Sequence, residues 1–89
     1  MNFTQTSKTK WESDKMAVSA AMIKRDENGN DMGDILAIHE PAYTILQGDH
    51  KGNTVYRLYE QHMGRKVFVK RFKTVEAAVK FAVKYDTEA

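Results

Sequence analysis

Cysteine is absent from the 89 residues, so the chain can hold no disulfide framework, no thiolate metal site and no cysteine nucleophile. That composition suits a reducing cytoplasm. Proline occurs once, at Pro41, and nowhere do eighteen apolar residues run together, so no membrane-spanning helix is expected. The opening stretch MNFTQTSKTKWESDK is polar and has no apolar centre of the kind a secretory leader needs. A length of 89 residues fits one domain with a single modest core. Function therefore has to use an outer surface or a shallow groove.

Catalytic and metal motifs are missing as well. DENGNDMGD has the polarity of a calcium loop, but counting from Asp26 puts Asp31 at the sixth position, where glycine makes the bend, and Ala37 at the twelfth, where a bidentate glutamate is required. His39-Glu40 begins like a zinc-protease helix, yet Pro41 follows and Tyr43 occupies the second histidine position. GDHKG lacks the spacing of a phosphate loop, and Asp49-His50 with Ser7, Ser13 or Ser19 forms no nucleophile arrangement. The expectation is a protein without enzymatic activity and without a cofactor.

What the chain does have is charge in one place. The net charge is only +2, but residues 50–73 contain seven Lys or Arg and one acidic residue, a local +6, while residues 1–49 carry −3 and residues 74–89 carry −1. The basic stretch contains VFVKRF, two phenylalanines with two adjacent cations.

Along the chain, residues 1–14 show no apolar period and read as a flexible N-terminal arm, with Trp11 docking back on the body. Residues 15–89 read as one α+β domain. MAVSAAMIKR reads either as a strand, with Met16, Val18, Ala20 and Met22 on one side, or as a helix that groups Val18, Ala21 and Met22; the hairpin signal Asn28-Gly29 after it, leading to ILAIHE bounded by Gly33 and Pro41, favours the strand. AYTIL is a third strand and QGDHKGN a loop of turn residues. TVYRLYEQH and RKVFVKRF flank Met63-Gly64, whose glycine permits the positive φ of a two-residue hairpin. Thr74 is the N-cap of VEAAVKFAVKY, with Val75, Ala78, Val79, Ala82 and Tyr85 on one side and Glu76, Lys80 and Lys84 on the other. The expected fold is a small antiparallel sheet of about four or five strands with the C-terminal helix packed on one face.

Strict alternation about Met63-Gly64 sorts the last hairpin into two faces. Leu58, Val67, Val69 and Tyr56 form one; Tyr59, Phe68, Phe72 and Val55 form the other, with Arg57, Lys66 and Lys70 among them. Two assignments stay open. Either the aliphatic face meets the helix and the aromatic, basic face is a platform for single-stranded nucleic acid, or the rings pack under the helix and the cations remain at the rim. The second hides an apolar patch of a size that soluble monomers seldom leave uncovered. In both, the surface cations define a binding site drawn from Arg57, Arg65, Lys66, Lys70, Arg71 and Lys73, with Tyr59 and Phe68 as stacking rings.

The segment GNTVYRLYEQHMGRKVFVKRFKTVEAAVKFA resembles the end of AP2-like DNA-binding domains, which include phage integrase arm-binding modules. The junction Phe72-Lys73-Thr74-Val75-Glu76-Ala77-Ala78 carries the likeness. The resemblance implies strands followed by a helix and DNA as ligand, but the family's sheet tryptophan has no counterpart here, so it transfers no base contacts. The chain is also similar in style to small bacteriophage accessory proteins that bind and inhibit a host factor. Together these give a non-enzymatic binding module whose expected partner is nucleic acid, RNA or DNA, with a host protein as the alternative and no membrane.

Overall fold

The structure, a computed structural model, describes residues 1–88, and the side chains of all of these except residues 22–24 and 31–36. Its elements are β1 (Phe3–Ser7), β2 (Lys10–Ser13), β3 (Met16–Arg25), β4 (Asp31–Pro41), β5 (Tyr43–His50), β6 (Asn53–His62), β7 (Arg65–Phe72) and α1 (Val75–Glu88). The fold is α+β: an antiparallel five-stranded sheet in the order β1-β2-β5-β6-β7, a separate β3-β4 ribbon, and one C-terminal helix.

Local chemistry sets the turns. The β5–β6 turn, Lys51-Gly52, has φ of 52° and 83°, and the β6–β7 turn, Met63-Gly64, has 46° and 87°. Two successive positive φ values define the turn whose twist matches that of the flanking strands, and glycine takes the second position in each. At the ribbon tip the Asp26 carboxylate accepts hydrogen bonds from the backbone N–H groups of Asn28 and Asn30, each at 2.9 Å, closing the DENGND turn on itself.

Two regions differ from the sequence reading. Residues 1–14 are not a flexible arm: they form β1 and β2, held by backbone pairing of Phe3 with Ser13 and Gln5 with Trp11 and by pairing of Trp11 with Ile45. Edge strands obtain their stability from ladder bonds and a few anchors, here Phe3 and Trp11, so their polarity concealed them. Residues 47–50 of the expected loop continue β5, and only Lys51-Gly52 turns.

The β2 and β5 strands pair within the sheet and then leave it together as β3 and β4. Ser13 marks the departure, because its buried hydroxyl donates to the Lys15 carbonyl at 2.8 Å and accepts from the Tyr43 N–H at 3.0 Å. Ten extended residues in β3 span about 34 Å, and the molecule measures 56 × 27 × 19 Å in consequence.

Helix α1 lies on one face of the sheet. The Thr74 hydroxyl caps it by accepting from the Ala77 N–H at 3.1 Å. Ala78 and Ala82 are fully buried, and their small side chains let the helix axis approach Ile45 and Leu58, which are also at 0% exposure. Burial of each such aliphatic side chain contributes roughly 1.5–3 kcal/mol. Around this small centre runs an aromatic rim: Trp11 edge-on to Tyr56 at 5.7 Å, Tyr43 edge-on to Tyr85 at 6.2 Å, and Phe81 between Phe72 at 5.2 Å and Tyr85 at 5.8 Å. Each aromatic pair adds about 0.5–1.5 kcal/mol beyond its area.

Candidate nucleic-acid interface

A bulge in β7 decides which residues share the face opposite the helix. From the turn, His62 pairs with Arg65, Gln61 with Lys66, Glu60 with Val67 and Tyr59 with Phe68, as strict alternation requires. The register then slips, and Leu58 pairs with Lys70, Arg57 with Arg71 and Tyr56 with Phe72. Val69 is the extra residue, packed against the core beneath the helix. Downstream side chains are thereby exchanged between faces. Phe72 turns in to meet Phe81, and Arg71 turns out.

Neither sequence-level assignment of the hairpin is therefore complete. Of the three rings, Phe72 is under the helix while Tyr59 and Phe68 stand on the open face, edge to face at 5.9 Å. Phe68 is 52% exposed. Lys70 does not belong to the open face: its ammonium lies over the Phe72 and Phe81 rings, 5.7 and 5.1 Å from their centroids, on the helix side. Arg65 follows the register of Val67 and also points away from the open face. Arg57, Tyr59, Lys66, Phe68 and Arg71 are brought together.

Directly opposed cations such as Arg57 and Arg71 are unfavourable across a ladder unless something separates or neutralises them. Arg57 is steered by its neighbours: its Nη2 donates to the Asp49 carbonyl at 3.0 Å, and the guanidinium lies over Gly48, where a Cβ would collide with it. The glycine provides the room. Among the described residues of β2, β5, β6 and β7, the one carboxylate in the open-face register is Glu12, which already pairs with Lys10 at 3.7 Å. Among the described residues Arg57, Lys66 and Arg71 form no ion pair with an acidic side chain.

Where the open face runs out toward the β5–β6 turn, a pocket of about 630 Å³ is lined by His50, Asn53, Thr54, Val55, Arg71 and Lys73, with Phe72 at its wall. Lys73, expected as a surface cation, is exposed and lines this pocket. His50, Asn53 and Thr54 were missed, because they are distant from the basic stretch's centre in sequence and are carried to it by the two-residue turn. Their alternation with the neighbouring strand would have shown it only had β5 been recognised as reaching His50. At the opposite end, Gln61 is buried on the same face, and its amide Nε2 has no hydrogen-bond partner among the described residues.

The groups with displaced acidity lie behind the helix and away from this surface. Burial, then a hydrogen bond to Asp86, pushes the Tyr43 phenol far above its ordinary 10.0. A hydrogen bond from Lys15 holds the Asp86 carboxyl below its ordinary 3.8. Among the described residues no group of three or more His, Asp or Glu side chains is placed to hold a metal ion, and no helix is long and apolar enough to cross a membrane. Comparison with known protein families, curated proteins and solved structures gives no match.

Proposed function

We propose that the chain is a non-enzymatic module that binds single-stranded nucleic acid on the open face of β6 and β7. The observation that carries this reading is the grouping of Arg57 and Lys66 with the half-buried Tyr59 and the exposed Phe68 on one side of the sheet, to which the bulge at Val69 adds Arg71. Phosphates are attracted by the cations, and a base stacked on an exposed ring contributes roughly 1–3 kcal/mol. From Lys66 to Arg71 the strand covers about 17 Å at ~3.3 Å per residue, a path for a few nucleotides. RNA and DNA both offer the required phosphates and base faces.

The test is a salt titration of binding to mixed-sequence RNA and DNA oligomers. Affinity should fall linearly on logarithmic axes with added salt, and the variant Lys66→Ala with Arg71→Ala should lower the slope by about 1.4 for two lost single-strand phosphate contacts. Lys70→Ala, on the other side of the sheet, should alter the slope far less. Absence of binding at low ionic strength rejects the reading.

A protein partner is the second reading, supported by the ribbon, where Met16, Val18 and Ile38 are exposed at 50%, 39% and 47%. A defined protein retained from nuclease-treated lysate by the native chain and lost with Val18→Asp plus Ile38→Asp would favour it.

A further inference from the structure

Building on the proposed strand-binding face, we infer that the pocket at its end is a phosphomonoester site that takes the terminal phosphate of the bound strand. Three basic residues, His50, Arg71 and Lys73, line it from three separate segments: the end of β5, the end of β7 and the link into α1. Asn53 and Thr54 complete the polar lining, and no acidic residue is part of it. Such a donor set suits a group that is all acceptor and multiply negative.

A terminal phosphate is a different ligand from an internal one. It carries about −1.5 to −2 charge near neutral pH and three terminal oxygens, against the single charge of a diester. Arg71 can present two parallel N–H donors to such a group, and Lys73 a compact charge. Arg57 stands opposite Arg71 on the ladder, so an anion bound beside Arg71 also relieves the repulsion between those cations.

The pocket's size points the same way. At about 630 Å³ it exceeds what a phosphate fills, leaving space for the terminal sugar. Because Arg71 belongs to both surfaces, a strand lying across Phe68 and Arg57 leads directly into the pocket. The site therefore distinguishes an end from an interior segment by charge, without reading sequence.

Fluorescence anisotropy with one oligomer sequence carrying a 5′-phosphate, a 3′-phosphate or hydroxyl ends tests this directly. One phosphorylated end should bind about tenfold more tightly than the hydroxyl-ended oligomer. The ratio should fall to near one in Lys73→Ala and in His50→Ala, and stay near tenfold in Lys84→Ala on the outer side of the helix. Equal binding of all three oligomers by the native protein overturns the inference while leaving the strand-binding face intact. Should no oligomer bind at all, the proposed function fails, and an NMR titration with a nucleoside monophosphate then judges the pocket alone. Amide shifts confined to His50, Asn53, Thr54 and Lys73 uphold a phosphomonoester site for a free nucleotide; no shifts there dispose of it.

Discussion

The Lys15 ammonium lies 2.6 Å from the Asp86 carboxylate, although 71 residues separate them in the chain. The same carboxylate oxygen accepts the Tyr43 phenol at 3.0 Å, so the exit to the ribbon, the start of β5 and the last turns of α1 meet at one atom. Asp86 is held below its ordinary 3.8 chiefly by the Lys15 hydrogen bond. A depressed carboxyl stabilises the fold above its unfolded value and loses that contribution as pH falls below it. Chemical denaturation should find Asp86→Ala less stable than the native chain by about 1 kcal/mol at neutral pH, with the gap closing below pH 3.8. A gap of constant size down to pH 2 would contradict the assignment.

Tyr43 gives the opposite dependence. Its raised value stabilises the fold below the unfolded value of 10.0, and that contribution is lost as pH rises above it. The native protein should lose stability above pH 10, and Tyr43→Phe should lose less over the same interval, measured as the shift in denaturant midpoint.

The helix interface predicts an asymmetry between neighbouring positions. Ala78→Asp places a carboxylate where the native residue has 0% exposure against the sheet, and should cost at least ~3 kcal/mol or prevent folding. Lys80→Glu, on the exposed side, should stay within about 0.5 kcal/mol. Melting temperatures of the two variants check the assignment of the helix faces.

Both residues of the β6–β7 turn have positive φ, which glycine accommodates and methionine does not favour. Met63→Asn should stabilise by about 0.5 kcal/mol, since asparagine tolerates this region. Gly64→Ala should destabilise by ~1 kcal/mol or more, because its φ is +87° and the new Cβ would sit 3.1 Å from the Ser19 carbonyl on the ribbon. Opposite signs for the two substitutions are the result to look for in denaturant midpoints.

Gly48 separates stability from binding. A Cβ there meets the end of the Arg57 side chain, which is flexible and can move off the Asp49 carbonyl. Gly48→Ala should therefore shift oligomer affinity by several-fold while moving the melting temperature little. A large stability loss with unchanged affinity would show that Arg57 does not depend on its seat over Gly48.

Much of the topology was readable because it follows from local chemistry. Asn28-Gly29 and Met63-Gly64 mark hairpins by their backbone freedom, and Thr74 followed by a stripe of small and apolar residues marks a capped amphipathic helix. The bulge at Val69 had no such sign. A valine inside an alternating strand gives no reason to break register; what accompanies the break is the packing of Phe72 against Phe81 and the seat of Lys70 over both rings, contacts with a helix further along the chain. One residue of slip was enough to exchange Lys70 for Arg71 on the open face. Strands β1 and β2 escaped notice for a related reason, since a polar edge strand is secured by its neighbour's backbone and by Trp11 against Tyr56.

Strand β7 is also an outermost strand of the sheet, with no strand among the described residues paired to its outer edge. Such a border is a template on which identical chains can stack into fibrils. Arg65, Lys66, Lys70 and Arg71 line it, so two copies approaching edge to edge would bring like charges together. These cations, of which Lys66 and Arg71 belong to the proposed binding face, are thus placed as gatekeepers against aggregation, and substitutions that remove them should be watched for precipitation.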